Sequence, residues 1–211
     1  DFGGYAEVVS EMEVELALRV GVSPEQIIWN GPIKNTEYLE KMLLRGTTIN
    51  IDSIEECYLI KNLAEKYPDN MLNVGIRCNF DVQDGVISRF GLDIEGDDFK
   101  KVFEIIEKTP NLKLINLQCH FAKRQIDYWP ARAKRMIELI EKLGIIPQRI
   151  DLGGGLYGNM AESLKEQFNT NIPEYKDYAN VVAPIFAEKF KDAEYCPELL
   201  IEPGSALVGD C

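Results

Sequence analysis

The chain is poor in the residues that build metal and disulfide sites. It has one histidine, His120, in 211 residues, and its five cysteines (Cys57, Cys78, Cys119, Cys196 and Cys211) are widely spaced with no C-x-x-C pair. A metal centre needs clustered ligands and a disulfide framework needs paired cysteines, so neither is expected and the thiols should be reduced. Basic residues are also scarce: 23 Lys and Arg against 35 Asp and Glu give a formal net charge of -12. Phosphate backbones require basic stripes, so no nucleic-acid partner is expected. No apolar run approaches the roughly 20 residues that span a bilayer. No charged-then-apolar leader opens the chain. The expectation is a cytoplasmic protein with no membrane partner.

What is present is ordinary globular composition, 45% hydrophobic and 27% charged, arranged as strands alternating with helices. Residues 5–9 read as a strand and 11–20 as a helix. A short strand at 26–29 precedes a helix with Asn35 and Thr36 as candidate N-caps and Gly46 as its stop. The β-branched stretch 47–51 is extended, and Ser53 caps a helix running to 66. A strand at 72–78 leads into a long excursion over 81–93. Helical spacing of Phe99, Val102, Phe103 and Ile106 marks 97–108. Then come a strand at 112–120, an amphipathic helix over 128–143 ended by Gly144, and a strand at 149–152. A polar insertion at 159–171 and a helix from Pro173 to 190 precede the last strand, 198–202.

Such alternation implies a parallel sheet with right-handed crossovers. Seven strand–helix starts are legible, whereas a closed barrel has eight and typically about 250 residues. The expected fold is therefore an α/β, parallel (β/α)8 TIM-type barrel lacking its first strand, with residues 1–211 forming a single domain of strands two to eight. The 149–152 strand would then be the seventh and the 198–202 strand the eighth, where barrels commonly bind phosphate.

Three strand tips carry the chemistry. Arg149-Ile150-Asp151-Leu152 runs into Gly153, Gly154 and Gly155. Consecutive glycines permit close backbone approach and leave N–H groups free to converge on an anion. Leu200-Ile201-Glu202-Pro203-Gly204-Ser205 ends a second strand with a carboxylate, and Leu117-Gln118-Cys119-His120 ends a third with the lone imidazole. Alternation puts Ile115, Leu117 and Cys119 on one face, packed on helices, and Asn116, Gln118 and His120 on the other, toward the barrel mouth. Cys119 and His120 point apart and cannot form a dyad. Glu202, facing a cleft, could stabilise a protonated heterocyclic nitrogen.

In this order and spacing the residues resemble a known family. The motifs are Val9-Ser10 with Glu13 and the helix Glu15-Leu16-Ala17-Leu18-Arg19; Ile51-Asp52-Ser53 with Glu55-Glu56; Ile76-Arg77-Cys78-Asn79; Ser88-Arg89-Phe90-Gly91; Cys119-His120-Phe121; Ile150 to Gly155; and Glu202-Pro203-Gly204. The chain resembles the fold-type III pyridoxal-phosphate enzymes, specifically the ornithine/diaminopimelate/arginine decarboxylase group. The resemblance implies pyridoxal 5'-phosphate as cofactor, an amino-acid substrate of basic or diamino type, and a homodimer in the full-length protein. It implies that Gly153, Gly154 and Gly155 cradle the phosphate, that Gly204 and Ser205 close that site, and that His120 stacks on the ring. Glu202 would pair with the ring nitrogen, Arg77 would sit beside the ring, and Arg89 would lie toward a subunit interface.

Departures from the family pattern shape the remaining expectations. The family's cofactor-bearing lysine lies on a first strand that this sequence lacks; Lys34 sits at a helix start and Lys41 further along the same helix, so both are poor substitutes. The family's C-terminal β-domain is also absent, so the chain is expected to be an inactive core of a larger enzyme. Ser205 stands where the family usually has arginine, and Lys123 where it often has serine; Lys123 could take over phosphate neutralisation. Two other readings are compatible with the sequence: a cofactor-binding homologue that pairs with an active partner, and a phosphosugar barrel without cofactor.

Overall fold

Side-chain caps set the starts of the early helices. Ser10 Oγ accepts from Glu13 N–H at 3.3 Å, Asn35 Oδ1 from Tyr38 N–H at 3.0 Å, and Ser53 Oγ from Glu56 N–H at 3.2 Å. Each satisfies an N–H that the first helical turn leaves without a partner. The computed structural model describes residues 3–86, 88–168 and 171–208. Cys211 and part of the polar insertion, residues 169 and 170, lie outside the described residues.

Two compact units divide the chain, Asp1–Phe80 with Ser88–Gln118, and Asp81–Ile87 with Cys119–Cys211. The first unit holds β1 (Ala6–Val8), α1 (Glu11–Arg19), β2 (Ile27–Trp29), α2 (Thr36–Leu43), β3 (Thr48–Ile51), α3 (Ile54–Lys66), β4 (Leu72–Asn79), β5 (Leu92–Asp93), α4 (Asp97–Lys108) and nearly all of β6 (Leu112–Cys119). Its strands run in the order β1-β2-β3-β4-β6, with β5 beside β4. Pairing is parallel, with Ala6 opposite Ile27, Ile28 opposite Thr48, and Ile49 opposite Val74. Every residue of β2 and β3 is buried, as expected of parallel strands covered on both faces. The two-residue β5 lies at the end of the 81–93 excursion, too short to show a strand's alternation.

One face of these strands is polar and dry. Asn30, Asn50 and Asn116 are at most 2% exposed, and their amides form a ladder. Asn30 Nδ2 donates to Glu7 Oε1 at 3.0 Å, Asn50 Nδ2 to Asn30 Oδ1, and Asn116 Nδ2 to Asn50 Oδ1 at 3.0 Å. The last step crosses β4 at Gly75, where an added Cβ would lie 1.9 Å from Asn50 Oδ1. Asn116 and Gln118 are as buried as Ile115 and Leu117; Asn116 Nδ2 donates to Asn50, while among the described residues its own Oδ1 has no hydrogen-bond partner.

The second unit holds α5 (Trp129–Leu143), β7 (Arg149–Asp151), α6 (Glu162–Lys165), α7 (Tyr175–Phe190), β8 (Glu198–Leu200) and α8 (Gly204–Val208). Gly144 ends α5 at φ +66°, the left-handed position its lack of Cβ allows. Helix α7 begins two residues after Pro173 because Glu174 and Asp177 form a reciprocal capping box. It packs against α5 with Trp129 and Tyr178 edge to face at 5.3 Å. Strands β7 and β8 pair in parallel, Arg149 opposite Glu198 and Asp151 opposite Leu200. The short helices α6 and α8 had no sequence signal, since neither is long enough to show a period.

Candidate cofactor site

Backbone pairing continues past the end of β7 and sets the site. Leu152 N–H donates to Leu200 O at 3.1 Å and Glu202 N–H to Gly153 O at 3.0 Å, which fixes Glu202 beside the glycine triplet. The triplet fills a slot between two strand tips. A Cβ on Gly153 would lie 2.3 Å from Cys119 O, one on Gly154 2.5 Å from Glu202 O, and one on Gly155 3.0 Å from Phe121 O. Gly153 and Gly155 also have φ of +71° and +88°, so a side chain is excluded by conformation as well as by space.

His120 and Glu202 meet at this slot. His120 Nδ1 lies 2.8 Å from Glu202 Oε2, with the imidazole side chain 41% exposed and the carboxylate 9%. Gly154 N–H also approaches the same nitrogen at 3.3 Å. One ring nitrogen cannot donate and accept at once. With its proton on Nδ1 the imidazole donates to Glu202, and Gly154 N–H then faces a nitrogen whose lone pair is already used in N–H bonding. Gly153 N–H donates to Asp151 Oδ1 at 2.9 Å. Among the described residues, Gly155 N–H donates to nothing.

Sequence reading missed one residue here, Arg132 on α5. It is fully buried, and its guanidinium is held by carbonyls. Nη1 donates to Gly154 O at 2.7 Å and Leu152 O at 3.4 Å; Nη2 donates to Lys123 O at 2.8 Å and Phe121 O at 3.1 Å. The group also lies 4.5 Å from the Trp129 ring centre. Burial pulls its pKa below the ordinary arginine value, with nearby Cys119 and Asp84 opposing. Neither periodicity nor motif marks it, because an arginine in an amphipathic helix reads as solvent-facing.

The other expected residues are distributed as follows. Gly204 and Ser205 open α8 and are exposed; Lys123 is half-buried in the turn after His120. Arg77 lies in the first unit, where its Nη1 is 3.3 Å from Asp52 Oδ2 and its guanidinium 5.0 Å from the Phe90 ring centre. The Arg89 guanidinium also lies over that ring, 5.2 Å from its centre. Lys34 is buried in the first unit, donating to Glu56 Oε1 at 2.7 Å and Asn50 O at 3.0 Å. Burial lowers its pKa against the pull of Glu56, and the lysine is committed to structure.

The strand tips thus bring a carboxylate and an imidazole together beside a glycine loop. Residues 2–209 match the family of pyridoxal-dependent decarboxylases over its pyridoxal binding domain. The chain belongs to that family. It is 25% identical to a diaminopimelate decarboxylase of Archaeoglobus fulgidus over 97% of this chain and 50% of that protein. The crystal structure of diaminopimelate decarboxylase from M. jannaschii in co-complex with L-lysine superposes with a TM-score of 0.78, at 25% identity, over 95% of this chain and 48% of that one. An arginine decarboxylase of Paramecium bursaria Chlorella virus, bound to agmatine, gives 0.69 at 20% identity over 95% and 51%. The chain spans about half the length of the curated relatives it matches.

The fold is thus the parallel α/β type of the decarboxylase barrels, and its cofactor is pyridoxal 5'-phosphate. The phosphosugar reading without cofactor falls with this assignment. The residues present fit the group: a glycine slot with an unused Gly155 N–H suits a phosphate oxygen, and a nearly buried carboxylate beside a half-exposed imidazole suits a cationic heterocycle.

Proposed function

We propose that this chain is the cofactor-binding part of a larger decarboxylase acting on a basic or diamino acid, of the diaminopimelate type, and that it does not turn over substrate alone. The observation that carries the reading is the Glu202 carboxylate held against His120 beside the glycine slot. In this reading Gly153, Gly154, Gly155, Gly204 and Ser205 surround the phosphate, with Lys123 supplying a cation. His120 lies against the ring, and Glu202 holds the proton on the ring nitrogen. Bound pyridoxal phosphate supplies the electron sink for the pair left when carbon dioxide departs. A cationic ring nitrogen makes that sink stronger, which is the work the carboxylate does. The homologues' diamino acid chemistry, and the L-lysine bound in one of them, support the substrate class. The homodimer and cytoplasmic location belong to the same proposal.

Lys34 has its charge compensated by Glu56 and its Nζ occupied, which supports inactivity of the chain alone. The test has two arms. Equilibrium dialysis of the purified chain against pyridoxal 5'-phosphate should show saturable binding at one site. Release of labelled carbon dioxide from diaminopimelate, lysine, ornithine or arginine should be absent from the chain and present in the protein with its flanking sequence. Failure to retain the cofactor would sink the reading. A full-length protein that binds cofactor but decarboxylates none of these would favour a non-catalytic homologue that pairs with an active one.

A further inference from the structure

Arg132 makes four hydrogen bonds, all to backbone carbonyls, and they come from two separate turns. Phe121 O and Lys123 O belong to the turn that follows His120, while Leu152 O and Gly154 O belong to the turn at the glycine triplet. A trans peptide is planar, so its C=O and N–H point in opposite directions, and every described peptide here is trans. The shortest of the four bonds, 2.7 Å to Gly154 O, therefore directs the N–H of the same peptide unit, that of Gly155, away from the guanidinium. That N–H is the one left without an acceptor among the described residues.

We infer that Arg132 is a positioning residue for anion binding: by holding Gly154 O it orients the Gly155 N–H as a donor to a phosphate oxygen. Its bonds to Phe121 O and Lys123 O lock the His120 turn to the same frame. The inference rests on the cofactor reading above, because the anion is taken to be the cofactor's phosphate. A buried cation on the carbonyl side also polarises the peptide and strengthens its N–H as a donor. Gly155 must lack a side chain for this, since its Cβ would lie 3.1 Å from Lys123 O and 3.4 Å from Arg132 Nη2. A lysine could keep the charge at this position, but not the planar fork that reaches two turns together.

The test uses the complete chain with inorganic phosphate, pyridoxal and pyridoxal 5'-phosphate as probes. In ¹⁵N-resolved spectra of the unaltered chain, phosphate should move the Gly155 amide downfield and leave the Gly153 amide, which donates to Asp151, nearly still. Arg132→Lys should weaken pyridoxal 5'-phosphate binding by about tenfold, in the range seen for residues that orient ligating groups, and weaken pyridoxal, which lacks the phosphate, by clearly less. If cofactor binds while the Gly155 amide does not respond, the inference is overturned and the cofactor reading stands. The same holds if folded Arg132→Lys binds both probes as the unaltered chain does, or loses both equally. If neither phosphate nor cofactor binds the unaltered chain, both readings fall. Should Arg132→Lys fail to fold, the amide shift alone decides.

Discussion

His120 Nδ1 and Glu202 Oε2 are 2.8 Å apart although 82 positions separate the two residues in the chain. Two strand tips from distant sequence are thereby joined by a charge-bearing hydrogen bond at the edge of the glycine slot. Replacing Glu202 by Gln keeps the shape and removes the charge. A hydrogen bond to a charged group contributes about 1.5–3 kcal/mol, so Glu202→Gln should weaken pyridoxal 5'-phosphate by roughly tenfold or more. Equilibrium dialysis checks this, and an unchanged affinity would remove the carboxylate from the site.

Gly75 should resist substitution for a reason unrelated to chemistry. Its Cβ would collide with Asn50 Oδ1 and lie 2.9 Å from Asn116 Cβ. Gly75→Ala should cost about 2–3 kcal/mol, at the upper end for overpacking, because the amides it displaces are buried. Urea unfolding monitored by circular dichroism measures it; a loss under about half a kcal/mol would mean the ladder relaxes easily.

The Lys34–Glu56 pair gives a separate expectation. Both side chains are buried, at 2.7 Å, and burial pushes Glu56 upward as it pulls Lys34 down. Glu56→Gln strands a buried ammonium and should cost about 3–5 kcal/mol, whereas an apolar pair, Lys34→Met with Glu56→Leu, should recover much of that. A double replacement no more stable than the single one would show that the charges are essential to the local fold.

The thiols connect burial to pH. Cys57, Cys78 and Cys119 are buried and Cys196 is exposed, so in a Cys211→Ser background one thiol should react quickly and three only after unfolding. Burial pushes the Cys57 thiol up to about 12 and raises Cys78 also. The unfolded thiols therefore lose their protons first. The stability they carry is intact below their ordinary pKa near 9 and declines as pH rises toward 12. Each contributes a slope of about 1.4 kcal/mol per pH unit within that window. Cys57→Ala should flatten the alkaline slope of stability by about that amount, read from urea midpoints at several pH values; an unaltered slope would contradict the burial effect.

Much of this was legible in the sequence because it is local. Asn35, Ser53 and Gly144 declare their caps within four residues, and strand alternation separates Cys119 from His120. The meeting of His120, Glu202 and the glycines was legible only through their common place at strand tips and through family motifs. Residues whose role depends on distant neighbours were not. Arg132 looks like any helix-surface arginine until two turns wrap it, and Lys34 looks like a helix-start lysine until Glu56 covers it. The burial of Asn116 was hidden for the same reason, since the amide it donates to, Asn50, lies on another strand.

The gap left by the missing Cβ of Gly75 also governs how β4 aligns with its neighbours. Sliding that strand by one residue in either direction would drive Val74 or Ile76 between Asn50 and Asn116 and sever the amide bond that passes over it. Correct strand alignment is thereby enforced by an empty position, and misaligned folding intermediates would carry unpaired carboxamides in a dry interior.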